Sequence, residues 1–399
     1  MNRIISFLGV FVLLGVLYFF STNKEKVDRK MIIKALIIQF ILAFIMVKLP
    51  IGQFIMDKVS AFVTTVINFG YEGLSFVFGS LADSGASTGM IFAIQTLGMI
   101  VFVSSLAAIL NYLGVIGWVV EKIGGVVEKI FGISKAESFV VCANMFLGQT
   151  DAPLLVKDVI KNMNNSEILL MLVSGMGSIS ATILIGYTGL GIPMKYLLVA
   201  CALVPLSSIM ISKILMPQTE EVVKQDIKIN LKGESTSVLS AMTDGAMNGM
   251  NMALAIAASL IAIIGLVALL NGFLGLFGTS LQGILAIVFS PLAFIMGVPF
   301  NHIMDASTLL GSKMALNEFV AYSQLGGGLL KTLDPRTAMM LSVALCGFAN
   351  LSSIGICIGG ISILAPSKKQ AITKLAVRGM IGGFLTSVLS AMLIGIIMY

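Results

Sequence analysis

Charge is what this chain has least of. Only 11% of its 399 residues are Asp, Glu, Lys or Arg, where a soluble globular domain carries about 25%. It has one histidine, His302, one tryptophan and four cysteines. Cys142, Cys201, Cys346 and Cys357 lie in or beside apolar runs with no CxxC spacing. A metal cluster is therefore excluded, and the cysteines read as small apolar packing residues. His302 sits in a polar turn and reads as a loop residue rather than a base. No phosphate-cradling GxxxxGK[ST], no GxSxG before a helix and no nucleophile–base set occurs, which excludes an enzyme. What the chain has instead is 57% hydrophobic residues and a mean hydropathy of +1.02. It is an all-α polytopic membrane protein. Its net charge of +6 does not imply nucleic acid, because the basic residues fall in short loops between apolar spans.

Apolar segments near the spanning length of about 20 residues occur at 4–20, 32–49, 90–112, 167–188, 195–215, 250–272, 337–365 and 376–398, giving eight expected transmembrane helices. The run at 4–20 reads as a retained first span, since residues 21–24 do not form a signal-peptide cleavage site. Residues 52–80, with Lys58, Asn68 and Glu72 among Phe and Val, read as an amphipathic, partly interfacial helix. Residues 120–162 and 280–335 are too polar at their middles to span cleanly and read as re-entrant helical hairpins, which need surrounding protein or a wet cavity at membrane depth. Residues 216–248 read as a cytoplasmic connector with a short amphipathic helix, carrying Glu220, Glu221, Lys224, Asp226, Lys228 and Lys232.

Placing the loop with Lys24, Lys26, Arg29 and Lys30 inside puts the N-terminus outside. The loops with Lys157 and Lys161, with Lys213, Lys224, Lys228 and Lys232, and with Lys368, Lys369 and Lys374 then all fall inside, as the positive-inside rule requires. That holds if both hairpins return to their own side or both cross. Hairpin, broken span, span occurs at 120–215 and again at 280–398, with the first hairpin opening inward and the second outward. This is the pattern of an inverted repeat, whose interface holds substrate and coupling ion. The expected domains are 1–118, scaffold helices and the interfacial helix; 119–215, the first repeat; 216–279, connector and scaffold helix; and 280–399, the second repeat.

The polar residues inside this apolar frame are few. A carboxylate at the bilayer centre costs about 2.5–3.5 kcal/mol on insertion scales, so each one kept there needs a reason. Gln149, Thr150 and Asp151 precede Ala152-Pro153. Proline favours a turn or a helix's first position, which puts the three at a hairpin tip, either facing a ligand or locking the tip. Ser178, Ser180 and Thr182 lie among Gly175 and Gly177. There a local unwinding frees carbonyls for a monovalent cation, with Asn144 and the chain at Leu147 completing the cage; the alternative is hydroxyls bonding back along an intact helix. Glu318 either accepts hydrogen bonds from ligand hydroxyls or pairs with Lys313. Phe348, Asn350 and Ser353 follow Gly347 and face one cavity if that helix is interrupted.

Taken in order, Gly148-Gln149-Thr150-Asp151-Ala152-Pro153, Gly297-Val298-Pro299, Leu309 to Lys313, Asn317-Glu318-Phe319-Val320-Ala321-Tyr322 and Gly347-Phe348-Ala349-Asn350 resemble the concentrative nucleoside transporter family, bacterial branch, over nearly the whole chain. The resemblance implies a sodium-coupled nucleoside importer of the inner (plasma) membrane: a homotrimer with a fixed scaffold, an elevator-type transport domain and no cofactor besides the coupling ion. It implies Gln149, Thr150 and Asp151 near the nucleobase, Ile183 and Phe348 packed on it, and Glu318, Asn350 and Ser353 on the ribose. It places sodium at Asn144, the Leu147 carbonyl, Ser178, and the carbonyls around Ile179 and Ser180. Asp151 stands where the family usually has Glu, one methylene longer, which leaves base preference open. Relatives lacking the Asn and Ser oxygens run on protons, so proton coupling is the alternative; Asn144 and Ser178 favour sodium.

Overall fold

The computed structural model describes residues 1–83, 85–220 and 235–399, and all regular elements among them are helical. Helices α1 (Asn2–Phe19), α2 (Arg29–Lys48), α3 (Pro50–Phe78), α4 (Leu97–Tyr112) and α5 (Val115–Phe131) come first. Then follow α6 (Lys135–Ala143), α7 (Asn165–Gly177), α8 (Ala181–Gly189), α9 (Met194–Leu215) and the long α10 (Val238–Gly275). The chain closes with α11 (Leu281–Ile295), α12 (Ile303–Ala315), α13 (Glu318–Gln324), α14 (Pro335–Leu345), α15 (Leu351–Leu364) and α16 (Lys369–Ile397).

Short polar residues set where these helices start. Asp28, Ser237, Asn317, Asp334 and Asn350 each accept a backbone N–H from the first turn of the helix they precede. Ser134 with Glu137, and Asn164 with Glu167, complete reciprocal capping boxes on α6 and α7. Each cap satisfies N–H groups that have no partner within the helix.

Among the described residues, eight helices are long and apolar enough to cross a membrane, the expected number with two changes of membership. The segment expected to be interfacial, 52–80, is one continuous helix, α3, within a qualifying stretch Pro50–Ala82. Its charges, Asp57, Lys58 and Glu72, leave an uncharged run between them. The expected span 337–365 is not continuous: α14 stops at Leu345, and Gly347 at φ 115° turns the chain before α15 begins. The polar segment expected at 120–162 also starts later. α5 runs to Phe131 and is ended by Gly132 in the left-handed region (φ 65°), which glycine adopts without a Cβ penalty. The polar excursion proper is α6, a turn over 144–151, and a short helical return, Ala152–Val156 and Lys157–Ile160. Of the expected connector, 221–234 lies outside the described residues, and from Val238 the chain is already in α10.

Burial separates core from rim. In the apolar window of Asn165–Gly189, 94% of residues are buried, against 6% in that of Val238–Gly275. α10 buries only a small-residue stripe, Ala241, Gly245, Gly249 and Ala253, which lets it approach α4 closely: a Cβ on Gly245 or Gly249 would collide with the α4 backbone at Ser104 and Ser105 or at Ile100 and Val101. The helices around α7 and α8 are tied by buried polar contacts. The Gln39 amide nitrogen of α2 lies within hydrogen-bond reach of the Leu203 carbonyl and the Ser207 and Ser390 hydroxyls. Arg336 of α14 donates to the carbonyls of Gly395 (2.8 Å) and Gly297 (2.9 Å) and to the Ser6 hydroxyl (2.8 Å). α1, α2, α9, α14 and α16 are thereby held as one packed body.

Candidate functional site

Two helices break at the centre of that body, and the breaks meet. α7 ends at Gly177, Ser178 is extended (φ −99°, ψ 174°), and α8 resumes at Ala181. The glycine- and serine-rich stretch therefore unwinds as its composition suggests. The second break, at Gly347, lies against the first: the Phe348 N–H donates to the Ser178 carbonyl at 3.2 Å. A Cβ on Gly347 would collide with the Gly177 carbonyl, at a φ that side chains rarely adopt. Gly347→Ala is expected to cost about 2–3 kcal/mol, from left-handed strain plus overpacking, and to lower the thermal unfolding midpoint of the purified protein.

The segments around Gln149 and Glu318 close on these breaks to form one cavity of about 300 Å³, at the small end of the usual ligand-pocket range of about 300–1,000 Å³. Gln149, Thr150, Asp151, Ile183, Glu318, Phe348, Asn350 and Ser353 all line it. Segments far apart in sequence thus bring together the whole set expected at a substrate. Ser180, Asn317, Phe319 and Ser352 share the wall, and α10 closes the other side with Met252, Ala255, Ile256 and Ser259.

The cavity's polar groups form a chain of hydrogen bonds. Glu318 is buried, and its two oxygens accept from the Tyr187 hydroxyl (3.2 Å) and the Asn350 amide (3.0 Å). Asn350 turns its own Oδ1 to the Ser353 N–H (3.0 Å) and the Ser352 hydroxyl (2.6 Å), capping α15. The capping bonds use the Asn350 oxygen, so only its amide protons are left to face Glu318. Gln149 donates to the Ser353 hydroxyl at 3.4 Å and accepts from the Cys357 thiol at 3.4 Å. Asp151 stands at the exposed edge, with the Thr150 hydroxyl 3.4 Å away. The ion pair weighed for Glu318 is not what Lys313 makes: the Lys313 ammonium donates to the Ala344 and Cys346 carbonyls and to the Ser387 hydroxyl. Glu318 therefore has lone pairs left over and no fixed cation bonded to it. That suits a ligand bringing hydroxyl donors.

Beside the first break, Asn144 donates to the Ser174 hydroxyl at 2.8 Å, while its Oδ1 is buried without a hydrogen-bond partner. Leaving such an acceptor unpaired costs about 1–3 kcal/mol. Ser178, Ile179 and Ser180 are buried in the adjoining unwound stretch, and the Ala181 N–H donates to the Phe146 carbonyl, pinning the 144–148 turn to it. The Asn144 Oδ1, a buried acceptor without an N–H partner, suits a small hard cation, while the Ser180 carbonyl already accepts from the Ile183 and Leu184 N–H groups.

Sequence reasoning missed three participants. Tyr187 is fully buried, bonded to Glu318 and packed between the tilted rings of Phe319 and Tyr322; the available signal was a phenol in mid-span, which needs a partner when buried. Cys357 lies behind Gln149. The α10 wall carried no signal, because its residues are ordinary apolar ones.

Buried polar groups from two broken helices, converging on one cavity inside an apolar helical bundle, are the features of a membrane solute transporter. Comparison with known proteins narrows that class. Residues 8–81 and 196–395 match the models described as the N-terminus and C-terminus of Na+ dependent nucleoside transporters, and residues 93–194 match one described as nucleoside recognition. The nucleoside permease NupC of Helicobacter pylori is 36% identical, covering 99% of this chain and 98% of its own length. An uncharacterized transporter of Haemophilus influenzae is 38% identical over similar coverage, 99% and 98%. Human solute carrier family 28 member 3 is 31% identical over 99% of this chain and 60% of its own length. The solved structure of CNTnw in an inward-facing substrate-bound state superimposes with a TM-score of 0.96 at 35% identity, covering 100% of both chains. The chain belongs to the concentrative nucleoside transporter family.

Proposed function

We propose that this protein is a sodium-coupled nucleoside symporter of the plasma membrane. The observation that carries the reading is the shared cavity, with Gln149 from one half and Glu318, Asn350 and Ser353 from the other facing the same space. Glu318 and Asn350 hold the ribose hydroxyls, Phe348 and Ile183 sandwich the base, and Gln149, Thr150 and Asp151 address its edge. Sodium sits at Asn144, the Leu147 carbonyl, Ser178 and the carbonyls of Ile179 and Ser180. In support, the Asn144 Oδ1 has no other partner, and the matching family models describe Na+ dependent transporters. By ordering the first tip, the ion raises nucleoside affinity, and the nucleoside raises ion affinity by the same factor.

The two halves, 119–215 and 280–399, form the inverted repeats of a transport domain that slides along α4 and α10. α10 supports the scaffold role: it is almost unburied within one chain, and its exposed surface carries Leu254, Ile261, Leu266 and Leu269. That surface suits a homotrimer contact within lipid. Release is on the cytoplasmic side, a reading supported by the distribution of the basic loops.

The test is accumulation of labelled uridine in proteoliposomes. An inward sodium gradient at equal pH is expected to drive uridine above its equilibrium level, and a proton gradient without sodium is not. The reverse result would establish the proton-coupled alternative.

A further inference from the structure

The two halves treat their equivalent positions differently. Asn144 precedes the cavity residue Gln149 by the same interval as Lys313 precedes Glu318, and each is followed by methionine. Asn144 and Lys313 also stand at equal intervals before the breaks at Ser178 and Gly347. In the first half, the side chain at this position leaves an acceptor oxygen without a partner. In the second half, it brings an ammonium. Lys313 is fully buried, and its Nζ lies 2.8 Å from the Ala344 carbonyl, 2.9 Å from the Cys346 carbonyl and 2.7 Å from the Ser387 hydroxyl oxygen. Ser387 gives its own proton to the Phe384 carbonyl, so all three Lys313 partners are acceptors. Three acceptors match the three protons of a charged ammonium and leave a neutral amine one short. The Ala344 and Cys346 carbonyls lie at the end of α14, where the helix breaks off. An unwound helix end in lipid needs its carbonyls satisfied, and here a tethered cation satisfies them.

We infer that Lys313 is a resident cation: its ammonium occupies in the second half the place that the removable coupling ion occupies in the first. This rests on the sodium site and the repeat proposed above. It gives each broken helix a positive charge at its unwound turn. The second turn's cation is covalently tethered and cannot leave, so the turn stays formed through the whole cycle. The first is charged only when an ion is bound, so coupling is confined to the first half. Lys313 is a positioning residue: it holds the break that carries Phe348 and Asn350 and touches no substrate.

The test is chemical rescue of Lys313→Ala in the purified full-length protein, read as uridine affinity at fixed sodium and ionic strength. Removal of the ammonium is expected to weaken uridine binding by about a hundredfold, the scale of losing charged hydrogen bonds. Methylammonium is expected to recover at least about tenfold of that loss, while choline recovers none and the wild type responds to neither. Lys313→Met restores most of the length without charge and is expected to stay weak. Wild-type affinity in Lys313→Met, or a folded Lys313→Ala that no small cation restores, would overturn the inference. Should Lys313→Ala not fold, Asn144→Lys reads the same equivalence from the other side. A tethered ammonium there is expected to make uridine binding independent of sodium; a folded Asn144→Lys that still needs sodium, or no longer binds uridine, would overturn it. A wild type indifferent to sodium together with a rescued Lys313→Ala would remove the coupling-ion reading and leave the tethered charge standing.

Discussion

Uridine uptake by Glu318→Gln is expected to fall by at least about a hundredfold while the protein still folds. The substitution keeps the shape of the side chain and changes only what its two ends can do. In the native site both oxygens accept, one from the Tyr187 hydroxyl and one from the Asn350 amide. Glutamine offers one acceptor and one donor, so an N–H must face either Tyr187 or Asn350. A hydrogen bond to a charged group is worth about 1.5–3 kcal/mol, and loss of the carboxylate removes both the network's bonds and those proposed to the ribose. Two such losses account for the stated effect, since each 1.4 kcal/mol is about tenfold. The check is the initial rate of labelled uridine uptake, normalised to reconstituted protein, with elution volume and helical content compared to wild type. Tyr187→Phe takes away one donor and leaves the carboxylate, so it is expected to cost only about tenfold on the same scale. Uptake within twofold of wild type in Glu318→Gln would remove Glu318 from the site.

The second large effect concerns the ion. Replacing sodium with choline is expected to weaken uridine binding by about 5–150-fold, the range of a coupling free energy of about 1–3 kcal/mol. Asn144→Leu is expected to abolish that response. The substitution deletes the unpartnered Oδ1 and the amide held by Ser174, while the cavity-lining side chains are untouched. The variant's affinity should then equal that of the wild type in choline, with or without sodium. A full sodium response in Asn144→Leu would place the ion elsewhere. Calorimetric titration of uridine into each protein, in sodium and in choline, gives all four affinities.

Much of this site was legible in the sequence because polar residues stand out against an apolar chain. Gln149, Thr150 and Asp151 before Pro153, and Asn350 after Gly347, carry both a turn signal and hydrogen-bonding groups, and both signals agree with the structure. The unwinding at Ser178 was visible for the same reason. What was not legible depends on how helices are rotated and joined. α3 looked interfacial because a few charges dilute its apolar content; only its continuity over Pro50–Phe78 reveals a spanning length. The run at 337–365 looked unbroken in hydropathy because the turn at Gly347 is made of small and apolar residues. Lys313 and Glu318 seemed natural partners on one short segment, yet the ammonium lies against the end of α14 and the carboxylate turns to α8. Only the three-dimensional arrangement sets those directions.

The central claim is that one nucleoside is held by groups from both halves at once. A structure of the protein with uridine bound tests it most directly. The account predicts uridine in the cavity of about 300 Å³, its ribose hydroxyls within hydrogen-bond distance of Glu318 and Asn350 and its base against Phe348, beside Gln149. A larger, mostly apolar cavity of about 570 Å³ lies on the other side of Phe319, lined by Leu260, Ile263, Ile264 and Val267 of α10. Uridine bound there, with Glu318 still committed only to Tyr187 and Asn350, would contradict the account.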